Sequence, residues 1–325
     1  MGVKMGVKTS DVGESSGKRN DSQEVQVVGE TSKKKVDSYG CINFSPSLNS
    51  DTAESLEEIR EDMCRKYNNQ NPKDHDWEMI ETQLRDTYSL QRYNINEGES
   101  VRDLLSKWPF LFTERGLFLH FKLLVGLDIR NTICEAFSKK AHRLNKFFKT
   151  EESGICKEAD EIIKEAKAQS AKDSVIAWLP ANILAIMKYF SEKEEQLFLT
   201  VDDTSTRAEV EAADTDGLPR IVCSGRSVME AKKFRIVVDR VVVMSDLTSF
   251  ITSLSALFAL FYILNIQYQH GASATLEFIQ RCFVGINPNR GSKSDRKRKS
   301  SCAGSVNAKV LRLINQMANF EWTTC

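Results

Sequence analysis

The chain has 325 residues, and its 45 Lys and Arg residues are balanced by 45 Asp and Glu residues. This zero net charge excludes the strongly basic composition of many nucleic-acid-binding proteins and the acidic composition of a solvating protein. With 41% hydrophobic and 28% charged residues, the composition is that of an ordinary globular protein. The length suffices for one large domain or for two of moderate size.

The first 40 residues are rich in Ser, Gly, Lys, Asp and Glu and almost free of aromatic residues. Such a segment cannot bury enough apolar surface to offset the entropy of ordering, so residues 1–40 are predicted to be a disordered tail. They also lack the apolar stretch of a secretory signal. The eight cysteines include no C-x-x-C pair, which indicates reduced thiols in an intracellular protein, nuclear or cytoplasmic.

Residues 41–190 have the apolar spacing of a helical domain. The first helix is predicted from Asp51, and Ser55 with Glu58 has the pattern of a capping box at its start. Further helices are predicted from Asp76, from Ser100, around residues 117–125 and 133–148, and over residues 157–190 with an interruption at Pro180.

Residues 191–288 are predicted to form a smaller α+β domain. Residues 197–201 and 218–224 are short apolar runs, and residues 234–244 are β-branched apart from Asp239 and Arg240. This last run is interpreted as a hairpin; one long strand is the alternative, because Asp-Arg is not a favoured two-residue turn. Two helices are predicted to follow, over residues 247–268 and 272–283. After them we predict a basic flexible linker over residues 289–304 and a C-terminal helix within 305–325 that packs back against the rest of the chain.

The predicted fold class is α+β and predominantly helical: a helical N-terminal region followed by a smaller region with a few strands and a buried apolar helix. Strands and helices do not alternate at regular lengths, which argues against a doubly wound nucleotide-binding fold. The core is predicted to include the following residues: Trp77, Leu104, Trp108, Phe110, Phe112, Phe121, Trp178, Leu257, Phe258, Phe261, Ile263 and Phe278.

The apolar stretch from Leu247 to Tyr268 contains no charged residue over twenty-two positions, which is long enough to cross a bilayer. Polar residues dilute both of its ends, and no Lys or Arg cluster flanks it closely as a membrane anchor would require. A helix that is apolar on every side is also typical of a core element in a large domain. We therefore predict a buried core helix and no membrane partner.

Several short sequence segments resemble those of a known family. They are Tyr39-Gly40-Cys41-Ile42-Asn43-Phe44, Trp108-Pro109-Phe110-Leu111-Phe112, His120-Phe121, Asn265-Ile266-Gln267-Tyr268, and Leu276-Glu277-Phe278-Ile279-Gln280-Arg281 running on to Gly285-Ile286-Asn287-Pro288. They are similar to a multi-copy group of uncharacterised vertebrate proteins, abundant in fish, some of which are named sterile alpha motif domain-containing protein 3-like.

This resemblance covers roughly residues 39–290 and the last helix, and it implies little about mechanism. The group has no established activity, so it supplies no catalytic residues. The sterile alpha motif of the name is not evident in this chain, so oligomerisation through that module cannot be transferred. The copy number of the group suggests descent from a mobile element or a lineage expansion.

For each potentially reactive residue, a structural role is a better interpretation than a catalytic or metal-binding role. His75, His120, His142 and His270 are far apart, and His120 lies among apolar residues, as a core histidine would. Cys282 follows Arg281, which could lower its thiol pKa, but a lone buried cysteine is usually inert. The acidic span 191–216, including Asp202 and Asp203, lacks the pattern of a calcium site and is interpreted as a solvated loop. No catalytic, cofactor-binding or metal-binding residue is predicted, and a site assembled only by the fold stays open.

The basic run at residues 290–299 is the one asymmetric feature of the charge pattern. It contains Lys293 and the cluster Arg296, Lys297, Arg298 and Lys299, surrounded by Ser and Gly. This run is a candidate nuclear import signal or a candidate phosphate contact, and an inert linker is the third interpretation. It lacks aromatic residues for base stacking, so nucleic-acid binding through it would be weak and sensitive to salt.

The sequence therefore predicts a non-enzymatic intracellular protein that acts in protein interaction or as a scaffold, with no cofactor and with a protein partner that the sequence does not identify. The alternative is a nuclear protein of mobile-element descent that makes non-specific nucleic-acid contacts through residues 290–299.

Overall fold

The computed structural model describes residues 35–36, 42–43, 48, 50–173, 178–287 and 306–323. Most of the predicted N-terminal tail and the whole predicted basic linker, 289–304, lie outside these residues. The first described elements are two short strands, β1 (Lys35–Val36) and β2 (Ile42–Asn43), which pair antiparallel.

Eight helices make up the N-terminal part of the described chain. They are α1 (Ser50–Asn69), α2 (Trp77–Asp86), α3 (Tyr88–Asn96), α4 (Val101–Lys107), α5 (Glu114–Val125), α6 (Ile129–Phe148), α7 (Cys156–Asp173) and α8 (Trp178–Phe190). The side chains of Asp76 and Ser100 cap α2 and α4, as predicted, by accepting the amide hydrogens of Met79 and Asp103. The predicted cap at Ser55 is wrong, because no Gly or Pro interrupts residues 50–54 and α1 begins five residues earlier.

The aromatic segment after α4 is buried, as predicted. Pro109–Phe112 forms a 3-10 turn between α4 and α5, and all four of its residues are buried. Trp108 is also buried, and its indole N–H donates to the Asn94 side chain at 3.0 Å. The segment therefore belongs to the hydrophobic core.

The second part of the chain builds one four-stranded sheet around a short helix. Its elements are β3 (Phe198–Val201), α9 (Arg207–Ala213), β4 (Arg220–Ser224), β5 (Lys233–Val238) and β6 (Val241–Leu247), and the strand order is β3-β4-β5-β6. β3 and β4 are parallel, whereas the other pairs are antiparallel. The predicted hairpin is confirmed: Asp239 and Arg240 form its turn with φ values of 50° and 61°. Two consecutive left-handed residues match the twist of the strands, so this turn works without Gly or Asn.

The apolar helix is shorter than predicted. α10 spans Phe250–Ile263, because Leu247 ends β6 and Asn265 has a positive φ of 52°. Every residue of α10 from Thr252 to Ile263 is buried. Within the described ranges, no helix is both long enough and apolar enough to cross a membrane.

Two helical elements follow α10. α11 (Ser273–Phe278) continues into one π-helical segment, Ile279–Val284, and α12 (Ala308–Thr323) is the last described element. α12 buries Val310 and Leu313, and the Gln316 side chain accepts a hydrogen bond from the Tyr189 hydroxyl at 2.6 Å.

A main hydrophobic core surrounds α10. Phe121 of α5 contacts Phe258 and Tyr262 of α10, and Phe190 at the end of α8 contacts Phe278 of α11. Ten of the twelve predicted core residues are buried, and the other two, Trp77 and Trp178, are half-buried. Core contacts thus join residues on both sides of residue 190. The predicted division into domains at residues 41–190 and 191–288 stays a prediction. The predicted fold class, α+β and predominantly helical, is confirmed.

Candidate interaction surface

The structure does not bring the predicted reactive residues together. His120 is buried, its Nδ1 lies 2.8 Å from the Gln91 side-chain oxygen, and burial lowers the pKa of its imidazole well below the ordinary value. Burial likewise raises the pKa of the Cys282 thiol to about 11. These two groups are a neutral core histidine and an unactivated thiol, as the sequence indicates. The candidate residues Lys293, Arg296, Lys297, Arg298 and Lys299 lie outside the described residues.

The acidic span 191–216 is more ordered than a solvated loop. Asp202 is exposed and caps a turn, where it accepts the Thr204 amide at 2.9 Å, but two other carboxylates, one buried and one half-buried, have structural roles. Asp214, 1% exposed, pairs with Arg220 at 2.7 Å, and Glu192 caps α11. The interpretation as a solvated loop is therefore wrong for Glu192 and Asp214. No three His, Cys, Asp or Glu side chains gather as metal ligands in the part of the chain that the structure describes.

An aromatic cluster reaches the surface where α1, the following loop and α2 meet. We call it the aromatic face and define it as Tyr67, His75 and Trp77 around the buried ring of Phe110, with Arg115 at its edge. The three outer rings meet Phe110 nearly edge-on, with centroids 5.0 to 5.8 Å apart. This T-shaped geometry is a favourable one for aromatic pairs. Tyr67 is 40% exposed, so the cluster is accessible from solvent.

Local sequence explains how the aromatic face is built. α1 ends at Asn69, and a short 3-10 turn at Pro72–Asp74, capped by the Asn71 side chain, reverses the chain toward α2. His75 and Trp77 then flank the N-cap residue of α2, Asp76. Phe110 comes from the 3-10 turn before α5, thirty-three residues further along the chain than Trp77.

Charges surround the aromatic face. The Arg115 guanidinium lies 4.8 Å from the centroid of the Trp77 ring and donates to the Glu81 carboxylate at 2.6 and 2.9 Å. Residues 56–113 hold twelve Asp and Glu against eight Lys and Arg, a net charge of −4 in a chain whose total is zero. One of those eight cations, Arg92, is buried, so the net negative charge at the surface of this region is larger than the value counted from its sequence.

Sequence reasoning assigned Trp77 and Phe110 to the core and did not identify a surface. For Phe110 the assignment is right. The signal in the sequence that could have indicated a surface is Tyr67. It is the last apolar residue of α1 and lies two residues before the helix ends at Asn69, where fewer neighbouring residues can cover it. Other large apolar side chains of the same region, Met79 and Tyr93, are 42% and 43% exposed.

One family matches this part of the chain. Residues 56–113 are similar to the helical domain of sterile alpha motif domain-containing protein 3. The match runs from within α1 through α4 to Thr113 and contains all of the aromatic face except Arg115. It supports a relationship to that helical domain. The predicted membership of a multi-copy group abundant in fish stays a prediction. No curated protein and no solved structure matches the chain.

Proposed function

We propose that the protein is a protein-interaction component that binds its partner through the aromatic face. The observation that supports this proposal is the accessible group of Tyr67, His75 and Trp77 on a fixed aromatic floor, Phe110. Tyr, Trp and Arg are the residue types most enriched among binding hot spots, and three of them meet here. Because Phe110 holds the rings in place, little side-chain entropy is lost on binding.

The chemistry of the aromatic face indicates the partner. The rings offer apolar contact area, and the exposed carboxylates of Asp74, Asp76 and Glu78, which flank His75 and Trp77 in the chain, favour a cationic ligand. The partner is therefore a protein segment that presents an apolar side chain flanked by Lys or Arg. Acidic segments are disfavoured, because they would bring like charges together.

Selection of peptides from a random display library on the full chain tests this proposal. We expect the selected peptides to combine Leu, Phe, Met or Trp with Lys or Arg, and their affinity to fall about tenfold or more for Trp77→Ala. Fluorescence anisotropy measures both affinities. Arg115→Glu should change peptide preference as well, because it replaces a cation at the edge of the face with an anion.

Tyr93→Ala is the matched control, because Tyr93 is as exposed as Tyr67 but lies outside the aromatic face. Circular dichroism of each variant separates lost binding from lost folding. Selection of acidic peptides, or equal affinity for the native chain and for folded Trp77→Ala, would contradict the proposal.

The basic run supports a second candidate function, nuclear nucleic-acid contact, because residues 290–299 carry six Lys and Arg against one Asp. We expect the full chain to retain DNA and RNA on nitrocellulose filters at low salt. Replacing Arg296, Lys297, Arg298 and Lys299 with Ala should abolish retention, since phosphate contacts of this kind depend on charge. Unchanged retention by the variant would rule this candidate out.

A further inference from the structure

An apolar cavity lies between α6, the start of α8, the chain that joins β4 to β5, and the start of α10. Its volume is about 420 Å³, which is within the range of small-molecule sites. Nine of its fourteen lining residues are aliphatic or aromatic: Phe137, Leu179, Pro180, Val228, Met229, Ala231, Phe234, Phe250 and Ile251. No Asp or Glu is among the described residues that line it, so a cationic ligand would meet no opposite charge there.

The walls of the cavity are side chains that the rest of the core holds in place. The rings of Phe234 and Phe250 meet nearly edge-on with centroids 5.9 Å apart, and Phe137 packs against Phe283 with centroids 5.5 Å apart. Such walls offer water few hydrogen-bond partners, so an apolar group gains free energy by replacing water there. Ser138 and Thr248 are exposed at the edge of the cavity, so its entrance faces solvent.

One end of the cavity is formed by the N-terminus of α10. The amide hydrogens of Phe250, Ile251 and Thr252 have no acceptor in the described part of the chain, because the N-cap residue, Ser249, does not use its side chain to cap the helix. Unpaired amides at the positive end of a helix dipole favour an anion. This end of the cavity therefore differs chemically from its apolar walls.

Lys232 lies at the same end of the cavity. Phe234 of β5 pairs with Leu247 of β6 in an antiparallel register. Two residues beyond that pair, the two chains bring Lys232 beside Ser249, and both residues line the cavity. Side chains alternate along an extended chain, so Lys232 lies on the same side as Phe234, whereas Lys233 lies on the other side and does not line the cavity.

We infer that this cavity binds a fatty acid, whose alkyl chain lies among the apolar side chains and whose carboxylate lies between Lys232 and the first amides of α10. A fatty acid joins an apolar body to a single anionic head, as the two parts of the cavity require. A hydrocarbon lacks the anion, and a sugar phosphate lacks the apolar body. The cavity shares no residue with the aromatic face, so fatty-acid binding and peptide binding are independent results.

Isothermal titration of the full chain tests both parts of the ligand. The probes are octanoate, decanoate, dodecanoate and tetradecanoate, each below its critical micelle concentration. We expect the affinity to rise about tenfold for each two added CH₂ groups until the cavity is full, because each CH₂ leaves water. Dodecanol and dodecylamine have the same chain as dodecanoate but no anion, and we expect each to bind about tenfold or more weakly.

Variants connect the binding to the cavity. Lys232→Gln should weaken dodecanoate about fivefold, whereas Lys233→Gln, at the adjacent exposed lysine, should leave its affinity unchanged. Ser138→Trp places a bulky ring at the entrance and should weaken dodecanoate about tenfold or more, and circular dichroism confirms that each variant is folded. Three results would each overturn the inference: no binding of any of the four fatty acids, equal affinity for dodecanoate and dodecanol, or dodecanoate affinity that folded Lys232→Gln and Ser138→Trp leave unchanged.

Discussion

Replacing Arg92 with Ala is expected to lower the free energy of unfolding by about 3 kcal/mol or more. Arg92 lies on α3 and is 1% exposed. Its guanidinium donates to the Ile263 carbonyl oxygen, at the C-terminal end of α10, at 2.5 Å and to the Asn96 side chain at 3.1 Å. The cation therefore satisfies a carbonyl group at the negative end of the central helix. Truncation would leave that carbonyl buried without this donor and would create a cavity.

Urea denaturation measures this effect. Arg85→Ala is the matched control, because Arg85 lies on the neighbouring helix α2 with half of its side chain exposed, and we expect it to cost less than about 1 kcal/mol. Arg92→Met restores part of the packing without the hydrogen bonds, so its loss should lie between the other two. A cost for Arg92→Ala equal to that for Arg85→Ala would show that Arg92 does not anchor α10.

Local signals in the sequence predicted much of the fold correctly. The N-caps at Asp76 and Ser100 were visible because the capping interaction spans only three residues. The hairpin turn at Asp239 and Arg240 was harder to predict, because Arg does not favour a left-handed conformation and the pairing of β5 with β6 imposes it. The pairing of the two strands, rather than the local turn propensity, therefore determined that residues 234–244 form a hairpin and not one long strand.

The candidate interaction surface depends on contacts that sequence spacing does not reveal. Phe110 meets Tyr67 from a different element of the helical region, forty-three positions further along the chain. The same limit applies to Trp77, whose apolar character indicated burial while its position at the start of α2 leaves it half-exposed.

Gly116→Ala is expected to be the other strongly destabilising substitution, at about 3 kcal/mol. A Cβ atom on Gly116 would overlap the carbonyl oxygen of Phe110. That oxygen cannot move freely, because it accepts hydrogen bonds from the Thr113 amide at 3.2 Å and the Thr113 hydroxyl at 2.6 Å. Thr113 is also the N-cap of α5, so relief of the overlap must disturb either the start of that helix or the backbone of Phe110.

Gly98→Ala separates this steric effect from backbone strain. Gly98 has a φ of 80°, but no atom lies within 4 Å of where its Cβ would be, so only the left-handed conformation is penalised, by about 1 kcal/mol. Because Phe110 is the floor of the aromatic face, Gly116→Ala should also weaken binding of the selected peptides, whereas Gly98→Ala should not. Denaturation midpoints and peptide affinities test both statements. Equal losses of stability for the two variants would mean that Phe110 and α5 can shift apart, and the rigid floor on which the proposed interaction depends would then be absent.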